Sequence, residues 1–450
     1  MLDIVIPMLI LFAIVLIPRI PKIGGDVRIA LLLAALTAAI MGGLTPIEVG
    51  TALIDGVDQL AWVIMLSITG SIYAETQVKL GAMQTTMLSL RSIFGKSSLG
   101  LVAAVLIALT FAGSLLGDAI AASAVIGFLV IRSLADLNIK PEQIGMIILV
   151  GASLGSLMPP ISQGVILSTS LLDMDPTPVI VISIFTVTGG VLFAILDASR
   201  FVRGKRLPEH LMPDQSFFTI IKERWKTLVP LIVLAVIVVL DTGLDVNIFT
   251  VWEPTGQLVA YLEELPILNG VVFPIVLAII MGALVSFFYR SVRKEAGTVF
   301  KQGLKNIGKT VQIQLAAGFM IGVFSATGVI DRVSELMEGL QATALKLGGT
   351  ASMLFIGMLT GSQTTAQTIT VPFLGPALEN LDVDPVNIAL GAAHISAGGQ
   401  NLPPVGLTAF VVAGLIGGIL SKKVDPVKVM ILAVPASLYL TLVGLIAWFI

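Results

Sequence analysis

Apolar residues run through this chain in long blocks, near 2 to 17, 28 to 43, 59 to 74, 227 to 241, 268 to 289, 308 to 328 and 428 to 450, each close to the length at which a helix crosses a bilayer. Four further regions, near 99 to 131, 143 to 172, 177 to 197 and 349 to 420, are as apolar, but Gly, Pro and polar residues interrupt most of them. Runs of this length do not alternate as strands do, and a backbone in lipid must satisfy its own hydrogen bonds. The pattern therefore predicts an all-α polytopic membrane protein. The stretches 214 to 226 and 295 to 307 mix Phe, Ile, Val and Leu with Lys and Arg, and read as amphipathic helices lying at the membrane surface.

Composition agrees. Of 450 residues, 56% are hydrophobic and 12% charged, against roughly 25% charged in a soluble protein, and the mean hydropathy is +1.01. There is no Cys, which excludes disulfides, thiolate metal sites and cysteine nucleophiles, and a formal net charge of −2 gives no sign of nucleic acid. The first block carries Asp3 in place of a basic leader and ends at Pro18-Arg19 without a small-residue cleavage pattern. It is expected to be a retained span, with the mature chain starting at Met1.

The charges between blocks set an orientation, because Lys and Arg stay on the cytoplasmic side. Basic connections hold Arg19, Lys22 and Arg28; Lys79, Arg91 and Lys96; Arg132 and Lys140; the cluster from Arg200 to Lys226; the cluster from Arg290 to Lys305; and Lys422, Lys423 and Lys428. Acidic connections alternate with them, at Glu48, Asp55 and Asp58; Asp173 and Asp175; Asp241, Asp245, Glu253, Glu263 and Glu264; and Glu379, Asp382 and Asp384. The alternation closes only if 99 to 131 enters and leaves on the cytoplasmic side and 349 to 376 enters and leaves outside. That predicts about ten full spans and two re-entrant hairpins in an inner membrane, with both termini extracytoplasmic. Trp225, Trp252 and Trp448 fall near span ends, as an interfacial aromatic belt would place them.

The interrupted regions repeat one another. Residues 113 to 161 match 357 to 405 without gaps at a constant offset of 244, with eleven identities that include Gly113, Gly117, Pro141, Gly155, Pro159 and Pro160 against Gly357, Gly361, Pro385, Gly399, Pro403 and Pro404. Composition bias alone would supply roughly four. An odd number of spans separates the copies, so they enter the membrane in opposite senses. Inverted repeats with broken helices are the architecture of secondary transporters, whose sites form near the midplane between the repeats.

Polar residues within each copy sit where a spanning helix should have none. The first hairpin carries Gly113-Ser114-Leu115-Leu116-Gly117-Asp118 and the second Gly361-Ser362-Gln363-Thr364-Thr365. The broken helices carry Ser153-Leu154-Gly155-Ser156 and Gly398-Gly399-Gln400-Asn401 just before their Pro-Pro pairs, where two prolines unwind the helix and free its carbonyls. Hydroxyl, amide and carbonyl oxygens are hard ligands suited to an alkali cation such as Na⁺. Each broken helix is expected to face one hairpin tip, giving two pseudo-symmetric cation sites at Gly113, Ser153, Gly155 and Ser156 and at Gly361, Gly399, Gln400 and Asn401. Substrate is expected between the tips, at Ser114, Asp118, Ser362, Thr364 and Thr365.

Asp118 is the one carboxylate well inside an apolar stretch and could ligate Na⁺ or carry a proton. His394, a turn before the second break, could couple to protons or simply satisfy a helix contact. No second His or acid stands at ligand spacing, so no transition metal is expected, nor any cofactor besides a coupling ion. Gln312 and Gln314 lie near a helix start, where polar residues often only meet the interface. The same arguments weigh against other classes. An intramembrane enzyme needs a nucleophile and base or a metal dyad, and a purely structural subunit leaves the duplicated polar tips without a purpose. A stand-alone carrier or cation/proton antiporter using Asp118 and His394 remains open.

The order of these motifs, Ala152 to Pro160 with its Gly-x-Leu-x-Pro-Pro ending, the polar second hairpin, and Pro403-Pro404-Val405-Gly406-Leu407 leading to Gly414, resembles the large membrane (DctM-type permease) subunit of TRAP transporters over about residues 60 to 445. The resemblance implies Na⁺-driven uptake of an organic acid such as a C4-dicarboxylate, by elevator-type movement. It also implies two partners, a small four-helix membrane subunit and an extracytoplasmic solute-binding protein. On this reading 1 to 98 and 177 to 348 form scaffold, 99 to 176 and 349 to 425 are the two transport repeats, and 426 to 450 is a terminal span. This chain departs from the family in carrying Asp118 at a tip usually rich in Ser, and Ser362-Gln363-Thr364-Thr365 where Glu-Pro-Ser-Ser is common.

Overall fold

Five helices open the chain in this computed structural model, which describes residues 2–17, 20, 23–117, 119–244, 246–330, 332 and 341–450: α1 (Leu2–Leu16), α2 (Val27–Gly42), α3 (Pro46–Gln59), α4 (Ala61–Leu80) and α5 (Ala82–Phe94). Arg19, Lys22, Asp118 and Asp245 lie outside the described residues. Asp26 starts α2 by accepting the Arg28 N–H, and Gly43 ends it in a left-handed turn. The acidic stretch after it is a helix instead of the expected open connection. Thr45 and Glu48 form a reciprocal capping box with Pro46 in the first turn, enough to nucleate α3 despite its three acids. α3 and α4 meet at 55°, so a helix precedes the apolar block read from 59 and bends into it.

The first repeat follows as α6 (Ser98–Leu116), α7 (Ala119–Asp136), α8 (Pro141–Gly155) and α9 (Gln163–Leu171). Next come α10 (Thr177–Val202), α11 (Phe217–Arg224), α12 (Val229–Leu244), the short α13 (Ile248–Val251) and α14 (Glu253–Glu263), α15 (Pro274–Phe287), α16 (Arg290–Lys294) and α17 (Ala296–Ala326). The second repeat is α18 (Ala342–Thr360), α19 (Gln363–Glu379), α20 (Pro385–Gln400) and α21 (Leu407–Leu420), and α22 (Pro426–Phe449) closes the chain. The described residues form helices and no strands.

Helix starts in the two repeats coincide at the offset of 244 seen in the sequence: Ser98 with Ala342, Ala119 with Gln363, Pro141 with Pro385, and Gln163 with Leu407. The duplication thus extends well beyond the 49 residues where side chains still match. Its sense is visible in the packing. α9 lies along α20 and α19, while α21 lies along α8 and α7. Each broken helix continues, past its break, beside the first half of the other, so the two run in opposite directions.

Among the described residues four helices are individually long and apolar enough to cross a membrane, Ser98–Leu116, Thr177–Val202, Ala342–Thr360 and Pro426–Phe449, and counting each bent pair as one span raises this to seven. Two of the four, α6 and α18, are first arms of hairpins that turn back within three residues. Their length suits a crossing, but the glycine turns at Gly117 and Gly361 return the chain. α17 bends by 48° near Gly308, separating the amphipathic part read from 295 to 307 from an apolar remainder.

α2, α3 and α4 pack on α17 through small residues. A side chain at Gly56 would come within 2.0 Å of the Gly318 carbonyl, and one at Gly322 within 1.8 Å of that of Ala52. Without a hydrophobic drive between helices in lipid, such close backbone approach supplies the dispersion contacts that hold them. Buried polar pairs reinforce this, Gln314 donating to Ser67 at 2.9 Å and Gln77 to Ser286 at 3.0 Å. Trp225 and Trp252 are exposed as expected of a belt, but Trp448 is fully buried and donates to the Ile388 carbonyl at 3.2 Å, fixing α22 against α20.

Candidate functional site

The hairpin tips are built alike. α6 ends at Gly117 with φ 65° and α18 at Gly361 with φ 64°, a left-handed conformation that glycine alone adopts without strain. Each glycine N–H donates at 2.8 Å to the carbonyl four residues earlier, of Gly113 and Gly357. In the second hairpin Ser362 then caps α19, its hydroxyl accepting from the Thr365 N–H at 3.2 Å. The matching position in the first is Asp118.

Each tip is joined to its own broken helix by the same two contacts. Ile161 N–H donates to the Ser114 carbonyl at 3.0 Å and Val405 N–H to that of Met358 at 3.2 Å, just past Pro-Pro pairs that are both cis. Behind the tips, Gly113 faces Gly155 and Gly357 faces Gly399 so closely that a methyl on any of them would lie 2.6 to 3.3 Å from its partner's backbone. Gly113, Gly155 and Gly399, expected among the cation ligands, are thus first of all contact glycines that let hairpin and broken helix touch.

The two half-sites also meet each other. The Ser153 hydroxyl accepts from Asn401 Nδ2 at 2.8 Å and from Gln400 Nε2 at 3.1 Å. Gln363 Oε1 accepts from the Ser156 hydroxyl at 3.0 Å and from Gln400 Nε2 at 3.2 Å, and the Gln363 N–H donates to Gln400 Oε1 at 3.3 Å. Every member is buried. In a low-dielectric interior a connected network of this kind holds both breaks in one geometry, and losing one member leaves the others unpaired. Besides facing its own tip, each broken helix is thus tied to the other break by amides long enough to span the gap.

A cavity of about 720 Å³ opens where the halves converge. Gly117, Ser156 and Gln163 line it from the first repeat, and Gly361, Ser362, Gln363, Thr364, Thr365 and Gln400 from the second. Asp26 and Arg28 at the start of α2 and Asn306 and Thr310 of α17 form the opposite wall. Beside it, Asn401 Oδ1 and Ser162 Oγ are buried without a hydrogen-bond partner, as are Gln367 Oε1 and Thr368 Oγ1 in α19. Buried oxygens left unpaired carry a desolvation cost that a bound cation would relieve, and neutral oxygens are what an alkali ion takes.

Of the residues singled out from sequence, Ser156, Gly361, Ser362, Thr364, Thr365 and Gln400 line the cavity, whereas Gly113, Ser114, Ser153, Gly155, Gly399 and Asn401 do not. Ser114, expected at the substrate, turns its hydroxyl onto the Phe111 carbonyl at 3.1 Å, the local bond that serine readily makes within a helix. His394 is fully buried against α10, with Nε2 at 2.9 Å from Thr186 Oγ1 and Nδ1 at 2.9 Å from the Leu390 carbonyl. The structure does not bring it to the cavity. Gln363 stood in a polar run with nothing to mark it, yet it bridges both repeats. Gln312, set aside as interfacial, accepts from Arg28 Nη1. An Asp-x-Arg at the mouth of an apolar span was the one signal for the α2 wall.

Among solved structures, the fold matches that of the YdaH transporter of Alcanivorax borkumensis, whose crystal structure is described as revealing an unusual topology. The TM-score is 0.63 over 98% of this chain and 97% of that one, and at 17% identity the likeness speaks to fold alone. A search of curated protein sequences returns no match. The family model for the tripartite ATP-independent periplasmic transporter, DctM component, matches residues 9–450. With that match running over nearly the whole chain, on top of mirrored half-sites around one cavity, the protein belongs to the DctM family, the large membrane component of these transporters, and is a permease and not an enzyme.

Proposed function

We propose that this permease takes up a small organic acid of the C4-dicarboxylate kind across the inner membrane, driven by Na⁺, with substrate held between the hairpin tips. The observation that carries this reading is the convergence of two mirrored half-sites on one cavity whose described repeat-derived lining is rich in hydroxyls and amides. The breaks at Ser153 to Ser156 and Gly398 to Asn401 offer oxygen ligands, and Asn401 Oδ1 and Ser162 Oγ are unpaired beside them. That donor set fits Na⁺, which needs no titrating ligand.

A component of a tripartite system works with a small membrane subunit and a solute-binding protein. In this reading the binding protein delivers solute from outside, where both termini of the present chain lie. The repeats at 99 to 176 and 349 to 425 form the moving body, and the segments 1 to 98, 177 to 348 and 426 to 450 stay with the scaffold. The cavity lies on the boundary between the two, as alternating access by rigid-body movement requires.

The test is uptake into proteoliposomes holding the chain with the small subunit and solute-binding protein of its system. Radiolabelled C4-dicarboxylates are expected to accumulate under an inward Na⁺ gradient and not when choline replaces Na⁺. Flux that ignores both Na⁺ and pH gradients overturns the coupling. Accumulation driven by a proton gradient alone replaces Na⁺ with the proton-coupled carrier, and an acid-dependent flux with no organic substrate points to the cation/proton antiporter.

A further inference from the structure

Among the described residues that line the cavity, charge comes from the scaffold wall. Among its described lining residues Asp26 and Arg28 are the ionisable ones, while those from the two repeats are neutral. Arg28 grips Asp26 with two prongs, Nε to Oδ1 at 3.0 Å and Nη2 to Oδ2, and gives its remaining nitrogen, Nη1, to Gln312 of α17. The guanidinium is therefore oriented from both sides. Asp26 is held in turn as the N-cap of α2, accepting the Arg28 N–H at 3.0 Å. Both residues line the cavity and are partly exposed, Arg28 by 37% and Asp26 by 25%, and Arg28 with Gln312 also lines a second pocket.

A forked guanidinium meeting a planar carboxylate along two parallel hydrogen bonds is the arrangement by which proteins recognise carboxylates in general. Here the carboxylate belongs to the chain itself. Since the pair is partly exposed, its net stability is small and a competing anion can replace one partner.

We propose that Arg28 is the scaffold's recognition residue for the transported anion, and that Asp26 occupies, in the empty cavity, the place a substrate carboxylate takes. This rests on the organic-acid reading above and adds to it the recognising group and the exchange. Binding then couples scaffold to moving repeats, because one carboxylate of the solute sits on Arg28 while its remainder reaches the hydroxyls of Thr364 and Thr365. Asp26 tunes affinity downward by competition, which favours release.

The experiment uses the full chain in detergent with Na⁺ and a panel of linear mono- and dicarboxylates of two to six carbons as probes. It reads the concentration of each probe that gives half-maximal thermal stabilisation. Arg28→Gln is expected to raise that concentration roughly tenfold or more, the loss of a charge-assisted pair. Arg28→Lys, keeping charge without the fork, recovers part of it, and Asp26→Asn lowers the concentration below that of the unmodified chain. Opposite signs for the two partners are the signature. A purely structural pair would lower the unliganded unfolding temperature for both variants and leave the probe response unchanged, which overturns the proposal. If Arg28→Gln does not fold, Asp26→Asn alone decides by the same criterion. Carboxylate binding that survives intact in Arg28→Gln refutes the role of Arg28 and leaves the organic-acid reading standing. A chain that no carboxylate stabilises fails that reading and takes this inference with it.

Discussion

Replacing Gly155 by alanine probes the contact on which the first half-site is built. The added methyl would lie 2.6 Å from the Gly113 Cα and 2.6 Å from the Thr110 carbonyl oxygen, both backbone atoms that no rotamer change can move. Ordinary carbon contacts begin at about 3.5 Å, so α6 must back away from α8 by about 1 Å. Such overpacking costs about 1–3 kcal/mol, while alanine returns up to about 1 kcal/mol of helix propensity in α8. A net loss of up to about 3 kcal/mol follows. The mirror substitution at Gly399 meets the Leu354 carbonyl at 3.0 Å and the Gly357 Cα at 3.3 Å. A shift of a few tenths of an ångström relieves it, so propensity and strain nearly cancel. Retreat of α6 also pulls the Ser114 carbonyl from the Ile161 N–H and moves the Gly117 tip at the cavity wall. Thermal unfolding in detergent, followed by uptake at equal membrane levels, should therefore rank Gly155→Ala as the more damaging on both counts. A Gly155→Ala protein that unfolds at the unmodified midpoint, or a Gly399→Ala protein that is worse, would refute the close-contact argument.

Gln363→Leu removes the acceptor shared by Ser156 and Gln400. It should cost about 1–3 kcal/mol for the polar groups left unpaired and raise the Na⁺ concentration needed for half-maximal uptake; unchanged stability together with unchanged Na⁺ dependence would sink the bridging role. Because the chain has no native cysteine, Thr364→Cys gives a single reporter in the cavity. On the orientation expected from the basic connections, a membrane-impermeant maleimide should reach it from the cytoplasmic side, and carboxylate ligands should slow the reaction; labelling only from outside counts against that orientation. Arg28 beside Asp26 holds that carboxyl below its ordinary range. The sign follows from linkage: the pair's contribution to stability is present above the unfolded value of about 3.9 and is lost as pH falls through the lower folded one. Asp26→Asn should flatten this acid limb of the unfolding midpoint against pH, and an unaltered limb would show that the pair contributes nothing.

The backbone plan of this protein was legible in its residues because the demands of a turn or a break are local. Gly117 and Gly361 are where a helix must end left-handed, Pro159-Pro160 and Pro403-Pro404 are where one cannot continue, and the offset between them survives even where side chains have diverged. Long apolar blocks likewise dictated helices, since lipid leaves the backbone no other partner. Local signals also led astray in instructive ways. Glu48, Asp55 and Asp58 suggested an open connection, but a capping box made them part of α3, with Glu48 and Asp55 exposed and Asp58 accepting from the Ile267 N–H and Asn269 Nδ2. Ser114 carried the right chemistry at the right tip and still spends its hydroxyl on its own helix. What only the tertiary structure decided is which polar groups meet: Ser153 with Asn401, 248 positions apart, Arg28 with Gln312, and His394 with Thr186 in place of the cavity. No periodicity links such partners, because a side chain's hydrogen bond depends on ångström-scale placement across an interface of two folded halves. That placement is set by how the helices pack, which the residue types along either segment do not reveal.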